Sequence, residues 1–322
     1  MIKDLPSTNA AAVNKALVDL RQSGGAIALG RVLTLVVVTG NDDVEESISA
    51  ANDASREHPC RVIVIARGAR RGSARLDAQI RVGGDAGASE VIVLRTFGAL
   101  SDHGASVVMP LLLSDAPVVA WWPGEAPERP AEDPVGTLAQ RRVTDATAAR
   151  RPGASLEQRR RSYRPGDTDL AWTRLTLWRG LLAAALDQPP YERVQSAEVV
   201  GGPDSPSADL LAAWLAETLR CPVQRKRSRS GQGISAVRLE RRSGAVELLR
   251  PKGPMATLSH PGQPDRRIAL ARREVRECLA EELRRLDPDE IYGEAVTKGL
   301  PRLTRAAGKA KKRAAGTTTS AS

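Results

Sequence analysis

Two uninterrupted runs of branched apolar residues, VLTLVVV from Val32 to Val38 and RVIVIA from Arg61 to Ala66, limit the fold more than any other feature of the chain. A strand that shows apolar side chains to both faces must be covered on both, and parallel sheets layered between helices do this. Gly40-Asn41 turns the chain after the first run, and Asp42 or Asp43 can cap a following helix with Glu45 or Glu46 in capping-box spacing. Together these segments read as one right-handed βαβ unit. Further strands are predicted at Ala78–Val82, Glu90–Arg95 and Ala116–Trp122, with helices at Ser7–Arg21 and, shorter, between Asp102 and Leu113. Residues 1–123 therefore read as an α/β domain with a mostly parallel sheet.

Residues 124–165 shift to Pro, Gly, Arg, Glu and Asp and read as a linker or surface arm. Residues 166–299 follow as an α+β domain: a leading helix, a strand-helix-strand segment from Ala197, then short alternating strands that read as an antiparallel meander. Helices at Arg272–Leu286 and Asp289–Lys298 close it. Residues 300–322 read as a disordered basic tail, because Ala, Lys, Gly and Thr bury too little apolar surface to fold.

That tail also explains the charge. The net charge is +10, but the seven basic residues after Glu294 account for most of it and leave a body at +3. With no aromatics interleaved among the basic residues, nucleic acid is not the expected partner. The apolar runs are too short to span a bilayer and the first residues lack a signal pattern, so the expected location is the cytoplasm. Cys60, Cys221 and Cys278 lie far apart and read as reduced thiols, with no metal site expected.

The stretch GDTDLAWTRLTLWRGLLAAAL, Gly166 to Leu186, is compositionally unusual in a chain that is only 3% aromatic. Read as one helix, it uses Asp167 as N-cap and Asp169 as a first-turn acid favoured by the helix dipole. Ala171, Leu175, Trp178, Leu182 and Ala185 then share a core face. Arg174 falls inside that face, while Trp172 falls outside it beside Arg179. Either the remaining elements cover these residues, or they form a partner-binding surface, for which tryptophan beside arginine is a typical composition.

Trp121 and Trp122 end a strand, so they point to opposite faces and at most one can enter a one-sided core; the other meets helices, the linker or a partner. Arg159, Arg160, Arg161 and Arg164 make the densest basic cluster of the body, open to phosphates, to acidic partner residues or to solvent. Gly201, Gly202, Ser205 and Ser207 form a strand-to-helix loop, with Ser205 as N-cap and Pro206 as first helical residue, where an anion could bind. The loop matches neither G-x-G-x-x-G nor the P-loop, and no cofactor is expected.

Three segments resemble the glucose-6-phosphate dehydrogenase assembly protein family, OpcA: YRPGDTDLAWTRLTLWRGLLAAALDQPPYE from Tyr163, LLLSDAPVVAWWPGEAP from Leu111, and VVGGPDSPSADLLAAWLA from Val199. The resemblance covers most of the chain up to about Gly299. It implies a non-catalytic protein that associates with glucose-6-phosphate dehydrogenase and promotes its assembly or active oligomer. It carries over no catalytic residues. A different reading is an enzyme or sensor that binds a sugar phosphate at Gly201 to Ser207.

Overall fold

The computed structural model describes residues 1–23, 32–83, 90–229, 231 and 233–303. In chain order the elements are β1 (Ile2–Leu5), α1 (Ala10–Ser23), β2 (Leu33–Gly40), α2 (Val44–Ser55), β3 (Cys60–Arg67), β4 (Arg75–Arg81), β5 (Glu90–Phe97), α3 (Gly104–Val108), β6 (Val118–Trp121) and β7 (Arg141–Thr144). They continue with α4 (Pro152–Ser162), β8 (Asp167–Asp169), α5 (Leu170–Thr173), α6 (Thr176–Leu186), β9 (Ser196–Gly201), α7 (Pro206–Leu219) and β10 (Val223–Arg227). The last are β11 (Ile234–Glu240), β12 (Val246–Leu249), β13 (Met255–Ser259), β14 (Arg266–Ala269), α8 (Val275–Arg284) and α9 (Glu290–Glu294), which runs on through a π-turned segment, Ala295–Gly299.

The chain divides into two compact units. The first holds Met1–Arg150, Gly166–Leu170 and Glu274–Pro288; the second holds Arg151–Pro165, Ala171–Arg273 and Asp289–Ser322. Each unit thus recruits short pieces from distant sequence. The helix predicted near Arg272–Leu286, expected in the second domain, is α8 and packs on α2 in the first unit.

The first unit is a doubly wound sheet of order β1-β4-β5-β3-β2-β6-β7-β8, parallel from β5 to β8. As their apolar runs require, β2 and β3 are buried along their length except for the last residue of each. Leu33, Leu35 and Val37 face a core completed by α2 and by Cys278, Leu279 and Leu283 of α8. Val36 and Val38 face the opposite core, completed by Val13, Leu17 and Leu20 of α1 and by Val107 and Val108 of α3. The expected cap of α2 is absent: Asp43 makes no side-chain capping bond, and Ser47 instead donates its hydroxyl to the Asp43 carbonyl at 2.8 Å.

Residues 124–165 are not a linker. They supply β7, buried at all four positions, and α4. Composition hid this because β7 reads Arg-Arg-Val-Thr, and arginine belongs in a sheet only when each guanidinium finds a partner. Arg141 is 3% exposed and meets Glu282 of α8, itself 5% exposed, through Nη2 to Oε2 at 2.5 Å and Nε to Oε2 at 3.2 Å. The arginine's Nη1 donates to the Asp287 carbonyl at 2.7 Å, and Thr168 donates to the other Glu282 oxygen at 3.3 Å.

The second unit is built on a six-stranded sheet, β10-β9-β11-β12-β13-β14, antiparallel except for the β9/β10 pair. The predicted meander is β11 to β14. Helix α7 lies against β9, β10 and the π-turned segment. Of the expected tail, residues 300–303 continue the last helix, where Arg302 pairs with Glu217 at 2.6 Å; residues 304–322 lie outside the described residues.

Removing one member of a satisfied buried ion pair strands the other charge, at about 3–5 kcal/mol, whereas replacing both by apolar residues is close to neutral. Glu282→Ala is therefore expected to lower unfolding free energy by about 3 kcal/mol, and Arg141→Met with Glu282→Leu to restore most of it. Urea unfolding of the three proteins checks this; equal losses for the single and double variants would contradict it.

Candidate functional site

The stretch from Gly166 to Leu186 is not one helix, and Asp167 is not its N-cap. Asp167, Thr168 and Asp169 form β8, the edge strand beside β7 in parallel register, with Arg142 opposite Asp167 and Thr144 opposite Asp169. Asp167 accepts from Arg142 Nε at 2.5 Å, and Arg142 Nη1 also donates to the Ala139 carbonyl at 2.9 Å. Asp169, fully buried, accepts from the Thr144 hydroxyl at 2.6 Å and from the Ala146 amide at 3.0 and 3.1 Å. Charge-assisted bonds to both acids hold the edge strand in place. The chain enters helix only at Leu170 and turns again between α5 and α6, yet the five residues expected on the core face, Ala171, Leu175, Trp178, Leu182 and Ala185, are all buried.

Of the two readings open for Trp172, the structure favours cover by the remaining elements: it is 1% exposed. Its Nε1 donates to Asp289 Oδ2 at 2.8 Å, while Asp289 Oδ1 accepts from the Tyr292 amide at 2.9 Å as N-cap of α9. Tyr292 lies 5.8 Å from the Trp172 ring and 5.9 Å from the Tyr163 ring. The Arg179 guanidinium stacks 3.8 Å above Trp172 as a cation–π contact. The unusual residues thus form an internal joint of the second unit, which no helical wheel shows because Asp289 and Tyr292 are more than a hundred residues away. Arg174 is half-buried.

Trp121 and Trp122 are each 1% exposed, one in each core of the first unit. The opposite-face argument is right, and since both faces are covered neither residue is free for a partner. Of the basic cluster on and after α4, Arg159 is 6% exposed. Arg160 bonds Glu157 at 2.7 and 2.6 Å, and Arg161 bonds it at 2.9 Å. Arg160, foremost, and Arg161 hold the Glu157 carboxyl down at about 2. Arg161 and Arg164 remain exposed.

The Gly201–Ser207 loop uses its side chains within the fold. Ser205 caps α7 by accepting from the Ala208 amide at 3.3 Å, and Pro206 opens the helix as predicted. The Ser207 hydroxyl donates to the Ala171 carbonyl at 2.8 Å, and the Gly202 amide donates to the Gly233 carbonyl at 2.8 Å. Gly201 is required by close approach: a Cβ there would lie 2.6 Å from the Gly233 carbonyl oxygen. Two of the donors a phosphate would use are thus taken by backbone carbonyls.

In the first unit the winding reverses between β2 and β6, the switch point where doubly wound sheets bind ligands. A cavity of about 270 Å³ lies there, lined by Thr39, Asp43, Glu46, Trp121 and Asp145. A dinucleotide phosphate would sit at the start of α2, and here carboxylates stand in that place. Among the described residues no group of three His, Cys, Asp or Glu could hold a metal ion. Cys60 and Cys278 are buried. Burial also raises the pKa of the half-buried Cys221 thiol, leaving less of the reactive thiolate. No helix among the described residues is long and apolar enough to cross a membrane.

Residues 51–161 match the family model described as the glucose-6-phosphate dehydrogenase subunit N-terminal domain, and residues 165–296 match the corresponding C-terminal domain. The chain belongs to the glucose-6-phosphate dehydrogenase assembly protein family, OpcA. The two family models meet close to Gly166, where the chain enters β8, so the OpcA boundary in sequence falls between two pieces of different units. No curated protein matches this OpcA chain. A solved structure described as glucose-6-phosphate 1-dehydrogenase from Mycobacterium avium aligns over 86% of this chain and 92% of its own, at 10% identity and a TM-score of 0.42.

Of the five tryptophans in this OpcA chain, Trp121, Trp122, Trp172 and Trp178 are at most 3% exposed, and Trp214 alone is half-buried. Iodide is therefore expected to quench a minor share of the emission, and Trp214→Phe to remove nearly all of that share. Loss of the quenchable emission on Trp172→Phe instead would mean the aromatic joint is open.

Proposed function

We propose that this chain is a non-catalytic partner of glucose-6-phosphate dehydrogenase that promotes the enzyme's active oligomer at the entry to the oxidative pentose phosphate pathway, in the cytoplasm. The observation that carries this reading is the pair of domain matches, which fall on both units and are described as glucose-6-phosphate dehydrogenase subunit domains. The chemistry of the chain supports it. The switch-point crevice is acidic where a phosphate-bearing cofactor would dock, the conspicuous acids are committed to internal bonds, and Trp121, Trp122, Trp172 and Trp178 are buried.

The contact is assigned to side chains that stay at the surface. Arg161 and Arg164 are the exposed members of the predicted set. The largest exposed apolar groups of the second unit are Tyr191 at 80%, Ile291 at 47% and Leu177 at 46%. Exposed arginines at an interface rim act mainly on association rate, while apolar anchors act on dissociation.

Mixed with the dehydrogenase encoded in the same genome, the full chain is expected to co-elute on size exclusion and to change the enzyme's specific activity. Arg161→Ala with Arg164→Ala should weaken association by less than about tenfold, chiefly through a slower on-rate. Unchanged elution and unchanged activity would overturn the proposal.

A further inference from the structure

The second unit has a cavity of about 590 Å³ where β9 and β12 end and β11 and β13 begin. Its lining includes Gly202, Gly233, Arg250, Lys252 and Arg272, and every charged residue among the described lining is a cation. A volume of this order suits a small ligand rather than a single ion.

Arg250 is the telling residue. Half-buried, it donates from Nη1 to the Leu270 carbonyl at 3.1 Å and from Nη2 to the Ile234 carbonyl at 2.9 Å. Its guanidinium also lies 5.2 Å from the centre of the Trp178 ring. Neutral dipoles and a ring face orient the cation, but they do not supply the counter-charge that a desolvated guanidinium calls for. Burial first, then repulsion from Arg272, pulls its pKa below the ordinary guanidinium value. Arginine does not shed its proton in a protein, so the cost is carried as unfavourable potential in the cavity. The backbone makes room for this arrangement. Gly233 has φ +74°, and a Cβ there would lie 2.8 Å from Arg272 Nη2.

We propose that this cavity binds a small phosphorylated molecule, with the phosphate held between Arg250, Lys252 and Arg272. Guanidinium forks match the spacing of phosphate oxygens, and a doubly charged phosphate answers three converging cations better than a single carboxylate does. Concave walls of low dielectric concentrate the potential of the three groups at the centre of the cavity. The site lies apart from the Gly201–Ser207 hydroxyls and does not depend on association with the dehydrogenase.

Calorimetric titration of the full-length protein with inorganic pyrophosphate, and separately with inorganic phosphate, tests the proposal. Saturable binding in the millimolar range or tighter is expected, weaker at higher salt. Arg272→Gln and Lys252→Gln should each weaken it roughly tenfold. Both positions are exposed, so their circular dichroism and melting should match the parent. Arg250 is left intact because it also packs on Trp178. No saturable heat with either anion would overturn the proposal. So would equal affinity in the parent and both variants, which would place the anion on other basic residues of the chain. Co-elution with the dehydrogenase is read separately, so either idea can fail alone.

Discussion

The structure depends on two acids that belong to a sheet. Asp167 and Asp169 sit on a three-residue edge strand, and each is bound by a residue of β7: Asp167 by Arg142, Asp169 by Thr144, with the Ala146 amide just beyond. Without those bonds β7 would present Arg142 to a buried environment without its carboxylate, and β8 would have no apolar reason to pair, since it reads Asp-Thr-Asp. With them the parallel sheet gains two strands that contain almost no hydrophobic sequence. Immediately after Asp169 the chain leaves for the second unit, and it changes unit five times in all.

Much of the first unit is legible in the sequence because continuous branched runs admit few architectures. β2, β3 and β5 are strands for reasons contained within themselves, and the meander β11 to β14 declares itself through alternation and turns. What sequence periodicity cannot express is pairing at a distance. β7 and β8 are polar segments whose stability comes from partners up to 141 residues away, such as Glu282 for Arg141. The same limit governs α8, whose apolar stripe says that it packs but not on which unit.

The candidate site follows the same rule. Trp172 and Arg179 are correctly singled out as neighbours, and they stack. Periodicity leaves open whether they pack inside or meet a partner, because Asp289 and Tyr292, which complete the joint, lie in another helix. Trp121 and Trp122 alternate as expected, and of the alternatives open for the second of them the structure shows packing inside the first unit. The basic cavity of the second unit was missed for the opposite reason. Arg250 and Arg272 are ordinary surface residues by composition, and only their place on the lining of one cavity sets them apart. These corrections move attention from the aromatic stretch to its surroundings. In this OpcA chain the conspicuous residues hold the architecture, and the proposed contact is left to arginines and apolar groups that stay in solvent.

The central claim is that the segment from Asp167 to Leu175 is structural and not a partner surface. Hydrogen–deuterium exchange of the full chain, alone and with saturating glucose-6-phosphate dehydrogenase, tests it most directly. The account predicts that peptides covering 167–175 exchange slowly in the free protein and do not change when the enzyme is added. Fast exchange in the free chain that slows on addition of the enzyme would contradict it.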